Sequence, residues 1–216
     1  MSVPLLVCDF DGTLALQDVG DALCRRLADP SWTTWEQAWH RREVSLPEAQ
    51  RHMWETVRAS EAELLAVAHE VGALRPGAAG LLEAHEEGRV ELVLASGGFR
   101  FYIEALLGPR WDPVCLYANE LEAGATGAVC HFPHTELHSP LYAVDKSKVI
   151  ARHRGDDPNR RVIFVGDGSS DVSVTDTDAE IFAVKGRALA LACNDAGRTY
   201  VPIETFQPVL DALTHP

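Results

Sequence analysis

The chain has 216 residues, of which 46% are apolar and 24% are charged, and its formal net charge is −13. This size and composition suit one sizeable core, or a core with a small accessory domain, and argue against a largely disordered chain. The acidic charge disfavours nucleic acid and anionic membranes as partners, and the sequence has no basic leader or bilayer-length apolar stretch, so we expect a cytoplasmic protein.

Short apolar segments that alternate with helical patterns predict the fold class. The predicted buried strands cover residues 4–10, 90–96, 114–119 and 161–167, with a weaker fifth at 181–186. Helical patterns, each closed by a glycine, cover 76–88, 99–108 and 146–155. Strands that alternate with helices predict an α/β protein with a three-layer, Rossmann-like core around a mostly parallel sheet.

One connection is too long for a simple crossover. About 84 residues separate Asp11 from Ser96, whereas a strand–helix–strand unit needs only about 30 in total. Most of the surplus, residues 15–73, has helical patterns. We therefore predict a small helical cap domain inserted after the first strand, and a catalytic core formed by residues 1–14 and 74–216.

Two further segments have structural interpretations. Trp32, Trp35 and Trp39 share one face of a predicted cap helix, which favours packing inside the cap over an aromatic wall for the substrate. Residues 120–144 indicate a β-hairpin and a loop that leads to Lys146.

Polar side chains end three of the predicted strands: Asp9 and Asp11, Ser96, and Asp167. Ligands bind at the carboxyl ends of strands in parallel sheets, so these residues define one candidate site. Asp9 and Asp11 are two residues apart and face the same side if the strand continues through them. Their mutual repulsion is relieved by a divalent cation or by unequal protonation. One carboxylate can attack phosphorus while its neighbour delivers a proton to the leaving oxygen.

Attack on an anionic phosphate also requires positive charge and preorganised donors. The sequence GDGSSD at 166–171 supplies further carboxylates, SGG at 96–98 supplies a hydroxyl and backbone amides, and DKSK at 145–148 supplies a lysine. Either Lys146 or Lys148 can be that lysine.

Four segments between residues 9 and 171 resemble, in order, the four motifs of the haloacid dehalogenase superfamily. They are DFDGTL, the serine of LASGG, the lysine of DKSK, and GDGSSD. The resemblance implies that Asp9 is the nucleophile and that Asp11 is the general acid and then the base. It implies that phosphoryl oxygens are bound by Ser96, Lys146, Gly12, Thr13, Gly97 and Gly98. It also implies that Mg²⁺ is held by Asp9, the backbone carbonyl of Asp11, Asp167 and Asp171.

Within that superfamily, the position of the helical insert resembles the small-cap branch and is similar to phosphoserine phosphatases. The C-terminal part resembles relatives of the methionine-salvage enol-phosphate phosphatase. Asp18 stands where the serine-specific enzymes carry a glutamate, and Arg51 and Arg58 are the candidates for their substrate-binding cap arginine.

The sequence therefore predicts a Mg²⁺-dependent phosphomonoesterase that acts on a small phosphorylated metabolite, as a monomer or a homodimer. Two alternatives stay open at this point. One is a phosphotransferase or phosphomutase that uses the same aspartate pair. The other is a catalytically retired binding module with the same fold, which the retention of every charged site residue disfavours.

Overall fold

The computed structural model describes residues 2–214. Across these residues, seven strands form one sheet in the order β4-β3-β2-β1-β5-β6-β7. The strands are β1 (Leu5–Cys8), β2 (Glu91–Phe99), β3 (Cys115–Glu122), β4 (Val129–His131), β5 (Val162–Gly166), β6 (Glu180–Val184) and β7 (Tyr200–Ile203). Every neighbouring pair is parallel except β3 with β4. The predicted α/β class and mostly parallel sheet are confirmed.

Helices cover both faces of this sheet. They are α1 (Val19–Leu27), α2 (Trp32–His40), α3 (Leu46–Trp54), α4 (Glu61–Val71), α5 (Ala78–Glu86), α6 (Arg100–Leu107), α7 (Lys146–Arg154), α8 (Ala188–Asp195) and α9 (Gln207–Thr214). Alternate residues of β1 enter different cores: Leu6 packs with α5, α6 and α9, and Val7 packs with α7 and α8. Three layers result, as predicted.

Strand β1 ends at Cys8, earlier than the sequence predicted. Residues Phe10–Leu14 form a tight turn, in which Gly12 adopts a φ of 72°, a conformation that glycine tolerates best. The turn closes because the Ala15 N–H donates to the Phe10 carbonyl at 2.9 Å. The direction of the Asp9 and Asp11 side chains is therefore set by a turn, and not by the alternation of a strand.

The segment 15–73 contains helices α1 to α4. Ser60 begins α4 with a capping box, in which its hydroxyl accepts from the Glu63 N–H and the Glu63 carboxylate accepts from the Ser60 N–H. The segments that begin and end this helical insert lie side by side, because Ala15 and Leu74 form an antiparallel bridge. The division into a cap at 15–73 and a core at 1–14 and 74–216 stays a prediction.

A hairpin joins the core to the cap helices. Its strands β3 and β4 pair with Glu120 opposite His131, within the segment where the sequence indicated a hairpin. The Ala128 N–H donates to the Trp54 carbonyl at 3.2 Å, so the hairpin contacts the end of α3. None of the helices within residues 2–214 is both long enough and apolar enough to cross a membrane.

Candidate active site

The carboxyl ends of β1, β2 and β5 meet the start of α7 beneath the cap helices. A cavity of about 510 Å³ lies there, lined by residues of the core and of α1, α2 and α3. Among the predicted site residues, the following line this cavity: Asp9, Asp11, Gly12, Ser96, Gly97, Gly98 and Asp167.

Lys146 forms the base of the site. It is the first residue of α7, whose N-cap is Asp145, and its side chain is fully buried. The Lys146 ammonium lies 3.3 Å from Asp9 Oδ1 and 2.9 Å from Asp171 Oδ1. Burial lowers the pKa of Lys146, but the two carboxylates outweigh burial and raise it above the ordinary value. Lys148 instead bonds the His138 carbonyl at the surface, so the structure brings Lys146 and not Lys148 to the aspartates.

Asp171 organises the GDGSSD turn. Its Oδ2 accepts from the backbone N–H groups of Asp167 and Gly168, both at 3.0 Å. Its Oδ1 faces Lys146. Both oxygens of this fully buried carboxylate therefore have partners within the protein, and Asp171 fixes the turn that presents Asp167 to the cavity.

The carboxylates of Asp9, Asp167 and Asp171 each place an oxygen within 4.8 Å of the other two. Burial, followed by the charge of Asp171, raises the pKa of Asp167 to about 7, against the opposing effect of Arg187. Burial, followed by Asp171, also raises the pKa of Asp9, which Lys146 opposes. Carboxylate oxygens are hard donors that suit Mg²⁺, and a bound cation would offset the burial and mutual repulsion that disfavour their ionisation.

Asp11 is held from two sides. Its Oδ1 accepts from the Val19 N–H at 2.9 Å and its Oδ2 accepts from the Tyr102 hydroxyl at 2.5 Å. Burial, and then the charge of Asp18, raise the pKa of Asp11 to about 7, although the bond from Tyr102 lowers it. A carboxyl group with a pKa near neutrality can both donate and accept a proton at physiological pH.

The SGG segment is shaped by bonds to its own atoms and to the cap. Ser96 is fully buried, and its hydroxyl accepts from the Gly98 N–H at 2.9 Å. The Gly97 carbonyl accepts from Gln50 Nε2 of the cap and from Asn119 Nδ2 of β3, both at 2.7 Å. These bonds tie the SGG segment to α3 and β3.

The Gly12 N–H and the Thr13 hydroxyl bond within the protein. The Gly12 N–H donates to the Gln17 carbonyl at 3.1 Å, because the tight turn closes on itself there. Thr13 is fully buried and its hydroxyl donates to Asp167 Oδ1 at 3.3 Å. In this arrangement the two residues support the turn and Asp167, and neither offers one of these groups to a ligand.

Arg75 was not found by sequence reasoning. It lies just after the cap and is almost fully buried. Its guanidinium donates to the carbonyls of Thr13 at 2.7 Å, Gly12 at 2.6 Å and Glu204 at 3.1 Å. Arg75 thus holds the backbone of the turn that follows Asp11.

The cap wall has an apolar part and an acidic part. Leu46, Trp39, Met53 and Trp54 form the apolar part; Asp18, Asp21 and Glu36 form the acidic part, with Arg25 beside them. Trp39 is thus both packed and exposed to the cavity, which corrects the expectation of packing alone.

The other two tryptophans of this helix are packed, as predicted: Trp32 is buried and Trp35 stacks on His52 at 3.8 Å. Neither Arg51 nor Arg58 lines the cavity. Arg51 instead lies 4.7 Å from the ring centre of Phe132.

Comparison with known proteins places this geometry in a family. Residues 6–175 match the haloacid dehalogenase-like hydrolase family. A 2-hydroxy-3-keto-5-methylthiopentenyl-1-phosphate phosphatase from Exiguobacterium sp. is 25% identical over 94% of this chain and 94% of its own length. The enzyme of the same name from Geobacillus kaustophilus is 24% identical over 97% of this chain and 94% of its own.

Solved structures agree on the fold. A substrate-bound phosphoserine phosphatase superposes with a TM-score of 0.70 at 15% identity, covering 98% of this chain and 99% of its own. The phosphoserine phosphatase from T. onnurineus also gives a TM-score of 0.70, at 19% identity, covering 99% of this chain and 96% of its own. The chain therefore belongs to the haloacid dehalogenase-like hydrolase family, and it is a phosphatase of that family.

Proposed function

We propose that the chain hydrolyses a small phosphomonoester through an aspartyl-phosphate on Asp9. The observation that carries this proposal is the arrangement of Asp9, Asp11 and Lys146: Asp9 and Asp11 line one cavity, and the buried Lys146 ammonium lies behind Asp9, 3.3 Å from its Oδ1. A nucleophile, a proton donor and a fixed cation are the groups that phosphoryl transfer to a carboxylate requires.

In the first half-reaction, a carboxylate oxygen of Asp9 forms a bond to phosphorus as the bond to the leaving oxygen breaks. Asp11 donates its proton to that oxygen, so the leaving group departs as a neutral alcohol or enol. Lys146 balances the charge of Asp9, while the Ser96 hydroxyl and the Gly97 N–H bind the phosphoryl oxygens. The Gly98 N–H donates to the Ser96 hydroxyl and holds it in place.

In the second half-reaction, Asp11, now a carboxylate, takes a proton from a water molecule that attacks the phosphorus of the aspartyl-phosphate. The bond between phosphorus and Asp9 breaks, and inorganic phosphate leaves. When bound by Asp9, the Asp11 backbone carbonyl and Asp167, Mg²⁺ would neutralise charge on the phosphoryl group. Asp171 would support that site through the turn it holds.

The substrate we propose is an enol phosphate with an apolar tail, of the kind named for the relatives, 2-hydroxy-3-keto-5-methylthiopentenyl-1-phosphate. The apolar wall of Leu46, Met53 and Trp54 suits a methylthio group. Phosphoserine has no apolar tail to cover this wall, and its carboxylate would be repelled by the acidic part, which attracts only its ammonium group. The cavity therefore favours the enol phosphate.

The test is phosphate release with and without Mg²⁺, measured for this enol phosphate and for phosphoserine. We expect a higher kcat/KM for the enol phosphate, and Asp9→Asn reduces turnover of both compounds to background. A preference for phosphoserine would contradict the substrate proposal alone. An Asp9→Asn variant as active as the parent would contradict the role of Asp9.

The same assay separates the two alternatives. Appearance of the phosphoryl group on an added alcohol instead of in free phosphate would indicate a phosphotransferase. A parent protein that binds Mg²⁺ but turns over neither compound nor aryl phosphates would indicate a binding module.

A further inference from the structure

The Asp11 carboxyl group depends on a tyrosine that none of the sequence motifs includes. The Tyr102 hydroxyl donates to Asp11 Oδ2 at 2.5 Å, the shortest of the contacts to this group. The Val19 N–H donates to Oδ1 at 2.9 Å, and the Ser96 hydroxyl is 3.5 Å from Oδ2. Since the last contact is long and the Val19 bond engages only Oδ1, Tyr102 is the main constraint on Oδ2.

Tyr102 itself has little freedom to move. It lies in the first turn of α6 and is fully buried. Its ring contacts Phe101 edge-on, with ring centres 5.2 Å apart, and is tilted against Phe10 at 6.1 Å. A hydroxyl on a ring fixed in this way is preorganised, so its hydrogen bond imposes an orientation on the softer carboxyl side chain.

Gly98 leaves the space in which this contact forms. A Cβ atom at Gly98 would lie 1.8 Å from the Tyr102 hydroxyl oxygen and 2.3 Å from Asp11 Oδ2. No real side chain fits at those distances, so the second glycine of the SGG segment is required for the tyrosine and the aspartate to meet. The site is therefore built around this contact.

We infer that Tyr102 is a positioning residue that orients the Asp11 carboxyl group for proton transfer to the leaving oxygen. This inference rests on the role proposed above for Asp11. As Asp11 gives up its proton it gains negative charge, and the bond from the Tyr102 hydroxyl strengthens with that charge. The remaining lone pairs of the carboxylate stay available to the reacting oxygen.

The consequence is a dependence on the leaving group. Phenyl phosphate releases a phenolate about as basic as that of tyrosine, with a pKa of about 10, so its departure needs the proton from Asp11. The p-nitrophenolate ion is a much weaker base and leaves with little help. An enzyme with a misoriented Asp11 therefore loses more activity on phenyl phosphate than on p-nitrophenyl phosphate.

The experiment compares kcat/KM of the parent, Tyr102→Phe and Tyr117→Phe on the two aryl phosphates with Mg²⁺. We expect Tyr102→Phe to lose about 10- to 100-fold on phenyl phosphate but less than about 5-fold on p-nitrophenyl phosphate. Tyr117 is a matched control, because it is also buried and its hydroxyl bonds His153 at 3.0 Å, away from the cavity. Tyr117→Phe should lose activity on neither compound.

A double variant tests the same point from another direction. In an Asp11→Asn background, Tyr102→Phe should change neither rate further, since the group that it positions is gone. Equal losses on both aryl phosphates, or an additive effect in the Asp11→Asn background, would overturn the inference while leaving the proposed function intact. A parent protein that turns over neither these aryl phosphates nor the enol phosphate and phosphoserine would overturn the proposed function and this inference with it.

Discussion

Replacing Lys146 with methionine tests the charge balance of the site. The side chains of Lys146 and Asp171 are fully buried and 2.9 Å apart, and Asp9 is 5% exposed at 3.3 Å from the same ammonium group. Methionine keeps most of the volume and removes the charge, so two buried carboxylates lose their cation. Breaking a buried ion pair in this way costs about 3–5 kcal/mol. For a chain of this size, that corresponds to a decrease in Tm of roughly 6–20 °C.

The assay is urea unfolding of the metal-free protein, followed by the fluorescence of its five tryptophans. Lys148→Met is the matched control, since Lys148 is two residues away on the same helix, with its side chain at the surface. We expect that control to change the free energy of unfolding by less than about 0.5 kcal/mol.

The effect of Lys146→Met should also depend on pH. Lys146 lowers the pKa of Asp9, which burial raises, so its removal raises the Asp9 pKa further. A carboxyl group with a raised folded-state pKa costs stability as pH rises from its unfolded pKa to its folded pKa. The deficit of the variant is therefore smallest in acid. Equal losses for the two lysine variants, or a loss below about 1 kcal/mol for Lys146→Met, would refute the reasoning.

Three further predictions concern the same site. Metal-free protein should lose stability between about pH 4 and pH 7: Asp11 and Asp167 have pKa values raised to about 7, so the stability present below their unfolded pKa of about 4 is lost as the pH rises to the folded value. Mg²⁺ should accordingly raise Tm more at pH 8 than at pH 5.5, and a Tm independent of pH would contradict this. Gly98→Ala should destabilise the chain by about 1–3 kcal/mol and lower kcat, because its Cβ would overlap Tyr102 and Asp11. Gly97→Ala is the milder comparison in thermal melts, since its Cβ would meet only the flexible end of Leu46, at 3.0 Å. Arg75→Met should lower both Tm and kcat, because the buried carbonyls of Gly12 and Thr13 and the partly buried carbonyl of Glu204 lose their donor. An unchanged kcat would show that the turn keeps its shape without Arg75.

Most strands of the sheet were predictable because buried parallel strands have sequences of short apolar runs. The segments 161–167 and 181–186 enclose β5 and most of β6 for this reason. Strand β7 was not predicted, because its sequence lacks such an apolar run. It is a half-exposed edge strand with Pro202 inside it, so it has neither an apolar run nor the composition typical of strands.

The sequence located the candidate site residues that lie at the ends of strands or at the starts of helices. Asp9 follows β1 and Lys146 opens α7, positions that local patterns locate. Tyr102 and Arg75 were missed because their partners are distant in sequence: Tyr102 bonds a residue 91 positions away, and Arg75 one 62 positions away. Such contacts exist only once the chain has folded, so the local pattern of the sequence does not indicate them.

The bridge between Ala15 and Leu74 is both the entrance and the exit of the cap. The next residue, Arg75, donates hydrogen bonds to the carbonyls of Gly12 and Thr13. The two segments that connect residues 15–73 to the sheet are therefore tied directly to the turn that follows Asp9 and carries Asp11. A substitution that loosens these segments should disturb the placement of Asp11 without altering any group that lines the cavity.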